Sequence, residues 1–453
     1  MSLAQGQRVP LGRALLFSLS SLPVAAVGLP LGVYLPRYFT SHIGLSFAAV
    51  GITLSTIRLF DIALDPMLGV LMDRTRTPLG RYRPWMILGA PILMAAVWML
   101  FFAPVGVDQT YLMIWMLVLY AGLSCLTLSQ ASWGAALATN YGDRSRVYGL
   151  LTAMGVIGTV LVLGLPIVLA GPGKHSQEHD VHLMGYFLLA VTPLAILLVA
   201  LGAPERVAPK PTSEKFRAAD YWELVKRPEM LRIIFADFVI SFGPGTTAAL
   251  YLFFFEDARG YTPAQTNFLL LLLIAASFFG APFWGWMGAK FQKHITLLIS
   301  SAAYAICQGL LMIVPHATMS LAIPAMMAVG FAGAGFVQLV RAMVADVADE
   351  VRLEQGRERA GLLYAMVTTT QKVGAALTVG VSYMVLGLVG YKAAEGAVNT
   401  PEAIRGLEAC YVAAPVIFAL VGASAFFGYK LDAKRHAEIR AALDARDAAA
   451  TAG

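Results

Sequence analysis

Apolar runs long enough to cross a bilayer recur along the whole chain, and no other feature competes with them for control of the fold. A hydrocarbon core of roughly 30 Å needs about 20 apolar residues as helix. Here such runs are separated by short polar or Pro/Gly-marked links. Twelve spans are read, at 14–40, 47–73, 83–106, 109–138, 148–171, 183–203, 230–256, 263–289, 293–315, 318–348, 361–390 and 406–432. A lipid-exposed segment must satisfy its own backbone, which a helix does, so the expected fold class is an all-α membrane protein with twelve transmembrane helices. Composition agrees: 58% of the 453 residues are hydrophobic and 13% charged, with a mean hydropathy of +0.69, which excludes a soluble globular domain. The N-terminus lacks a short apolar region followed by a cleavage site, so the first span is expected to be retained.

Basic residues then set the orientation, because they collect beside alternate span ends. The rich groups are Arg74, Arg76, Arg81 and Arg83; Arg144 and Arg146; Lys210, Lys215, Arg217, Lys226 and Arg227; Lys290 and Lys293; Arg352, Arg357 and Arg359; and Lys434, Arg435 and Arg440. All fall on one side together with both termini, which predicts cytoplasmic termini and an integral multi-pass protein of the bacterial inner membrane. The net charge of +6 is thus a topology signal and gives no argument for a nucleic-acid partner. Cys125, Cys307 and Cys410 fall in or near apolar spans with neither disulfide nor metal-ligand spacing. No GxxxxGK loop is present, so ATP-driven pumping is unsupported and no cofactor is expected.

The link "PERVAPKPTSEKFRAADYWELVKRPEM", Pro204 to Met230, divides the spans six and six. The expected organisation is an N-terminal half at 1–203, a linker at 204–229, a C-terminal half at 230–432 and a cytoplasmic tail at 433–453, read as an Ala-rich helix that frays into disorder. Sliding the chain by 216 residues brings Gly44 over Gly260, Pro66 over Pro282 and Gly69 over Gly285. Two parallel six-span repeats related by an axis along the membrane normal are the arrangement of the major facilitator fold.

The same shift puts Asp61 over Ser277 and Asp65 over Ala281, so the carboxylates are not needed to build the repeat. Arg58, Asp61, Asp65 and Gly69 are spaced three, four and four apart and share one helical face. A charge at the bilayer centre costs at least roughly 2.5–3.5 kcal/mol on insertion scales, so that face must point inward. At about 1.5 Å per residue, Asp61, Asp65, Lys372, Gln130 and Trp133 fall at comparable depth, roughly 12–18 Å from a span end. This predicts one layer near the midplane, where a solute and a coupling cation would bind.

At these residues the chain resembles the glycoside–pentoside–hexuronide cation symporters. "RLFDIALDPMLGVLMDRTRTPLGRYRPW" is similar to the family's Arg-x-x-Asp-x-x-x-Asp-Pro signature and the turn after it, and "MVADVADEVRLEQGRERAGLLYAMVTTTQKVGAA" to its tenth-to-eleventh-span signature. "SWGAALATNYGDRSRVYG" resembles the link from the fourth to the fifth span. The resemblance implies that Asp61 and Asp65 hold the coupling cation, Na⁺ or H⁺, that Thr368 and Lys372 lie beside it, and that Trp133 lines the sugar site. Two departures bear on the solute. The family's best-known member places a carboxylate in the first span, where this chain has "SLPVAAVGL", apolar around Ala25. It also places Thr-x-x-Asp before the tryptophan, where this chain has "TLSQASW" with Gln130 or Ser129. Fewer acids, together with Arg341 and Lys372, would accept an anionic solute.

Arg58, Asp73, Arg81, Arg83, Asp143, Arg144, Arg146, Asp346, Asp349, Arg357 and Arg359 are expected to form charge networks at the cytoplasmic face that open and close with alternating access. The expected function is cation-coupled symport of a sugar or glycoside-like small molecule, without enzymatic activity, with membrane lipid as the surroundings. Oligomeric state is not readable from the sequence. The alternatives are a lysolipid or other amphiphile symporter and, from another class, a non-transporting membrane sensor. For Asp61 and Asp65 the competing reading is an ion pair that only pins helices together; for Trp133 it is core packing, and for Arg341 snorkelling to the cytoplasmic surface or pairing with Asp346 or Asp349, which outweighs a solute contact.

Overall fold

The computed structural model describes residues 9–137, 141–169, 176–205, 218–356, 359–394 and 397–452, with the side chains of Asp73, 141–145, 218–220 and 447–452 outside that description. The described chain is helical throughout, with only an isolated bridge between Thr77 and Gly80. The helices of the first part are α1 Leu11–His42, α2 Phe47–Arg74, α3 Arg83–Phe101, α4 Gln109–Leu137, α5 Tyr141–Leu169 and α6 Gln177–Gly202. A short α7, Ala218–Val225, precedes α8 Pro228–Ala258, α9 Pro263–Lys290, α10 Lys293–Leu310, α11 Met319–Gln355, α12 Ala360–Leu388, α13 Pro401–Ser424 and α14 Ala433–Ala452.

Eleven of the described helices are long and apolar enough to cross a membrane. In ninth place stands α10, whose 18 residues include Lys293, His294 and Gln308; these polar residues explain why it falls short on composition. It ends at Leu310 rather than 315, and the last span runs Pro401–Ser424 rather than 406–432. The early start of α13 follows from Pro401, which suits a first helical turn because its missing N–H is not needed there.

The internal repeat is visible as backbone geometry. In α1 the turn Tyr38–His42 is π-helical, Gly44 has φ +89°, and Leu45 N–H donates to Phe39 O at 2.9 Å. In α8 the turn Phe253–Ala258 is π-helical, Gly260 has φ +70°, and Tyr261 N–H donates to Phe255 O at 2.9 Å. Each helix ends on a left-handed glycine that lets a later N–H capture an otherwise orphan carbonyl. Pro66 and Pro282 also lie at matching places inside α2 and α9.

Packing divides the chain into two compact units. One comprises Met1–Thr212, Thr262–Phe268 and Val379–Thr400; the other comprises Ser213–Tyr261, Leu269–Thr378 and Pro401–Gly453. In the first unit, glycines let helices approach closely. A Cβ at Gly122 of α4 would stand 2.6 Å from Leu93 N of α3. In the second, Phe254 stacks on Tyr411 at 4.0 Å, and the buried Arg259 pairs with Glu408 at 3.0 Å.

Candidate functional site

In the first unit the acidic face of α2 lies against α4. Asp61 is 8% exposed, and Asp65, one turn on, is half-buried. Ser124 Oγ of α4 stands 2.8 Å from Asp61 Oδ1 and 2.7 Å from Asp65 Oδ1. One turn before Ser124, the Tyr120 ring receives the Arg58 guanidinium at 5.6 Å. Farther along the interface, Ser129 Oγ approaches Met72 Sδ at 3.9 Å. The arrangement poses a chemical question, because a serine hydroxyl carries one hydrogen and can donate to only one oxygen at a time. Two carboxyl oxygens at hydrogen-bonding distance from one hydroxyl form a three-oxygen cradle. A proton on one carboxyl or a small hard cation among the oxygens would satisfy it.

The other expected site residues of this unit have different partners. Gln130 Nε2 donates to Ser20 Oγ at 2.7 Å and Ser21 Oγ at 3.0 Å, which ties α4 to α1. Trp133 is fully buried: its Nε1 donates to Pro204 O at 3.1 Å, Phe17 meets it edge-on at 5.5 Å, and Arg83 lies over its ring at 5.4 Å. The indole therefore has no free face for a sugar ring in this conformation, which is the environment of a packing residue.

At the Arg-rich turn, the expected charge network takes another form. The backbone N–H groups of Arg81, Tyr82 and Arg83 all donate to the Glu205 carboxylate, the last two at 2.8 and 3.1 Å. Arg83 Nη2 donates to Ala203 O at 2.7 Å, and Arg81 Nε to Met72 O at 3.4 Å. A carboxylate caps the orphan donors at the start of α3 and is favoured there by the helix dipole. Gly80 stands at φ +117°, a backbone conformation strained for any residue with a side chain, and a Cβ there would meet the Glu205 carboxylate. Arg146 donates to Val9 O.

In the second unit, Thr368 and Lys372 share a face of α12, four residues apart. Thr368 Oγ1 donates to Tyr364 O at 2.9 Å. Arg341 is exposed and interacts electrostatically with Asp237. Asp346 pairs with Lys293, and His436 Nε2 of α14 lies 3.2 Å from Asp346 Oδ1 and 3.1 Å from Asp349 Oδ2. Arg440 reaches Asp349 at 3.4 Å. A cavity of about 350 Å³ beside this network is lined by Lys293, His294, Tyr429 and His436. The tail is the expected Ala-rich helix; it runs through Ala452 and buries Ile439 and Leu443. Arg359 supplies the carbonyl that caps the first turn of α12. The Asp73, Asp143 and Arg144 side chains and the whole of Arg357 lie outside the described residues.

The sequence profile of the MFS/sugar transport protein family matches residues 16–433. The chain belongs to this family. Among its relatives, the isoprimeverose transporter of Lactiplantibacillus pentosus is 24% identical over 94% of this chain and 89% of its own length. The glucuronide carrier protein homolog of Escherichia coli (strain K12) is 24% identical over 91% of each. The sodium-dependent lysophosphatidylcholine symporter 1 of Xenopus tropicalis is 22% identical over 94% of this chain and 88% of its own. A crystal structure of the nucleoside transporter NupG superposes with a TM-score of 0.70 at 12% identity, covering 93% of this chain and all of that one. That likeness shows the major facilitator fold. Family membership agrees with the resemblance to glycoside–pentoside–hexuronide cation symporters.

Within a transporter of this family, three residues were missed by sequence reasoning. Ser124 is one hydroxyl among many in "GLSCLTLSQAS", and only the α2–α4 register singles it out. Glu205 falls in the link, where an acid reads as solvated. Asp237 was readable by the same argument as Asp61, an acid inside an apolar span.

Proposed function

We propose that this protein is a secondary transporter that carries a sugar or glycoside-like solute in symport with Na⁺ or H⁺, by alternating access. The observation that carries the reading is the Asp61–Ser124–Asp65 cradle, set within membrane-spanning helices of a sugar-transporter family member. Two carboxylates offset the dehydration of a cation, and the Ser124 oxygen adds a neutral ligand. Thr368 and Lys372 are assigned to the coupling machinery of the second unit, and Arg341 to solute attraction. No covalent step is involved, so the protein is not an enzyme, and no cofactor other than the coupling ion takes part. Both termini face the cytoplasm of a bacterial cell, since the basic clusters lie on their side of the membrane.

A second reading, an amphiphile such as a lysolipid as solute, is favoured by one feature. The polar groups nearest the apolar Ala25 stretch, Ser20 and Ser21, are occupied by Gln130, which leaves few groups to recognise sugar hydroxyls. Proteoliposomes test both. Radiolabelled glycosides, glucuronides and a lysophospholipid are each offered with an inward Na⁺ gradient, a proton gradient or neither. Accumulation above equilibrium that collapses with one gradient is expected, and the accumulated solute decides between the readings. Binding without flux would contradict both and favour a sensor.

A further inference from the structure

Asp237 of α8 has no part in the cradle. It is 5% exposed; its Oδ1 accepts from Gln371 Nε2 at 3.0 Å, and its Oδ2 is buried without a hydrogen-bond partner among the described residues. Gln371 immediately precedes Lys372 in α12. The bond lies at one end of a close helix crossing in the second unit. Gly374 faces Ser241 and Gly245 faces Thr378, and a Cβ added at either glycine would run into those side chains. Asp237, Ser241 and Gly245 recur every four residues along α8. Gln371, Gly374 and Thr378 recur at three and four along α12, so one face of each helix is joined over two turns.

The charge is the informative feature. At the matching place 216 residues earlier stands Ser21, which also accepts from a glutamine amide, Gln130 Nε2 at 3.0 Å. A neutral hydroxyl is therefore enough to tie a glutamine between helices. A carboxylate is far costlier to place in a span, but as an acceptor-only, charged group it makes a stronger bond and dictates which end of the amide faces it. Successive helical residues are rotated by about 100°. With Gln371 held towards α8, Lys372 is turned about 100° away, and Thr368, one turn earlier, shares its face.

We propose that Asp237, acting through Gln371, is a positioning residue that fixes the rotation of α12 and so the direction in which Thr368 and Lys372 are presented. The inference rests on the reading of the protein as a cation-coupled transporter. Its test uses the purified full-length protein with Na⁺ alone, at constant ionic strength, and separately a pH titration, reading the midpoint of the cation-dependent shift in melting temperature. A merely structural contact would lower the baseline melting temperature and leave the midpoint in place.

Gln371→Met and Asp237→Leu are each expected to move the midpoint about fivefold or more. The double variant should be no worse than the more affected single variant, and Asp237→Asn, which keeps an acceptor oxygen, should lie between wild type and Asp237→Leu. An unmoved midpoint in Gln371→Met and Asp237→Leu would overturn the proposal, as would additive shifts in the double variant. If Asp237→Leu does not fold, the near-isosteric Gln371→Met decides alone. A wild type that responds to neither Na⁺ nor pH would instead contradict the coupling reading, and this inference with it.

Discussion

A single hydroxyl shared by two carboxyl groups makes Ser124 the residue on which the proposed cation site turns. Ser124→Ala is expected to weaken cation binding about tenfold, the scale of one lost hydrogen-bonding ligand, while the protein still folds. Combined with Asp65→Asn it should add little, because the groups act together; isothermal titration with the cation measures both. Trp133 makes the opposite case. Buried against Phe17, Arg83 and Pro204, it should lose about 3–5 kcal/mol on truncation to Ala, seen as a fall in melting temperature, with the solute preference of the surviving protein unchanged. Asp61 and Asp65 stood out in the sequence because charge is rare in an apolar run. For Trp133 the sequence left sugar stacking and core packing both open, because depth along a helix says nothing about which neighbour covers a ring.

Helix ends are where sequence and structure parted most. Arginines were legible at the Arg-rich turn, yet among the hydrogen bonds there it is their backbone N–H groups that hold Glu205, a contact that depends on how the chain returns after α6. Glu205→Gln should cost about 1–2 kcal/mol of stability by weakening the cap of α3, measurable by thermal unfolding, with Glu205→Asp partly restoring it. Asp108 does similar work for α4: the Tyr111 N–H, and then the Thr110 hydroxyl, hold its carboxyl below the usual carboxylate range. A depressed carboxyl contributes above its unfolded pKa and loses that contribution as pH falls through its lowered folded value. The cap should therefore be constant at neutral pH and fade only in acid, and Asp108→Asn should flatten that acid limb of thermal stability. For α14, His436→Leu should change the rate of transport without changing which solute is carried, since its contacts are Asp346 and Asp349; a changed solute profile would count against this.

At the level of the whole molecule, twelve apolar runs and a 216-residue shift made the all-α fold and its duplication readable. The matching left-handed glycines, Gly44 and Gly260, give that duplication a backbone form. What composition could not supply was register: the pairing of α2 with α4 that selects Ser124, the α8–α12 crossing that buries Asp237, and the docking of a polar, Ala-rich tail through Ile439 and Leu443. Those depend on long-range packing, which periodicity leaves open. The central claim is that the acidic pair binds the coupling cation. It is tested most directly by the dependence of solute binding on Na⁺ and on pH in purified Asp61→Asn and Asp65→Asn. Each substitution keeps the shape of the side chain and removes its charge, so each is expected to abolish the dependence while the protein remains folded. If both variants retain the wild-type dependence on Na⁺ and on pH, the pair is a structural bridge between α2 and α4, and cation coupling at this site is contradicted.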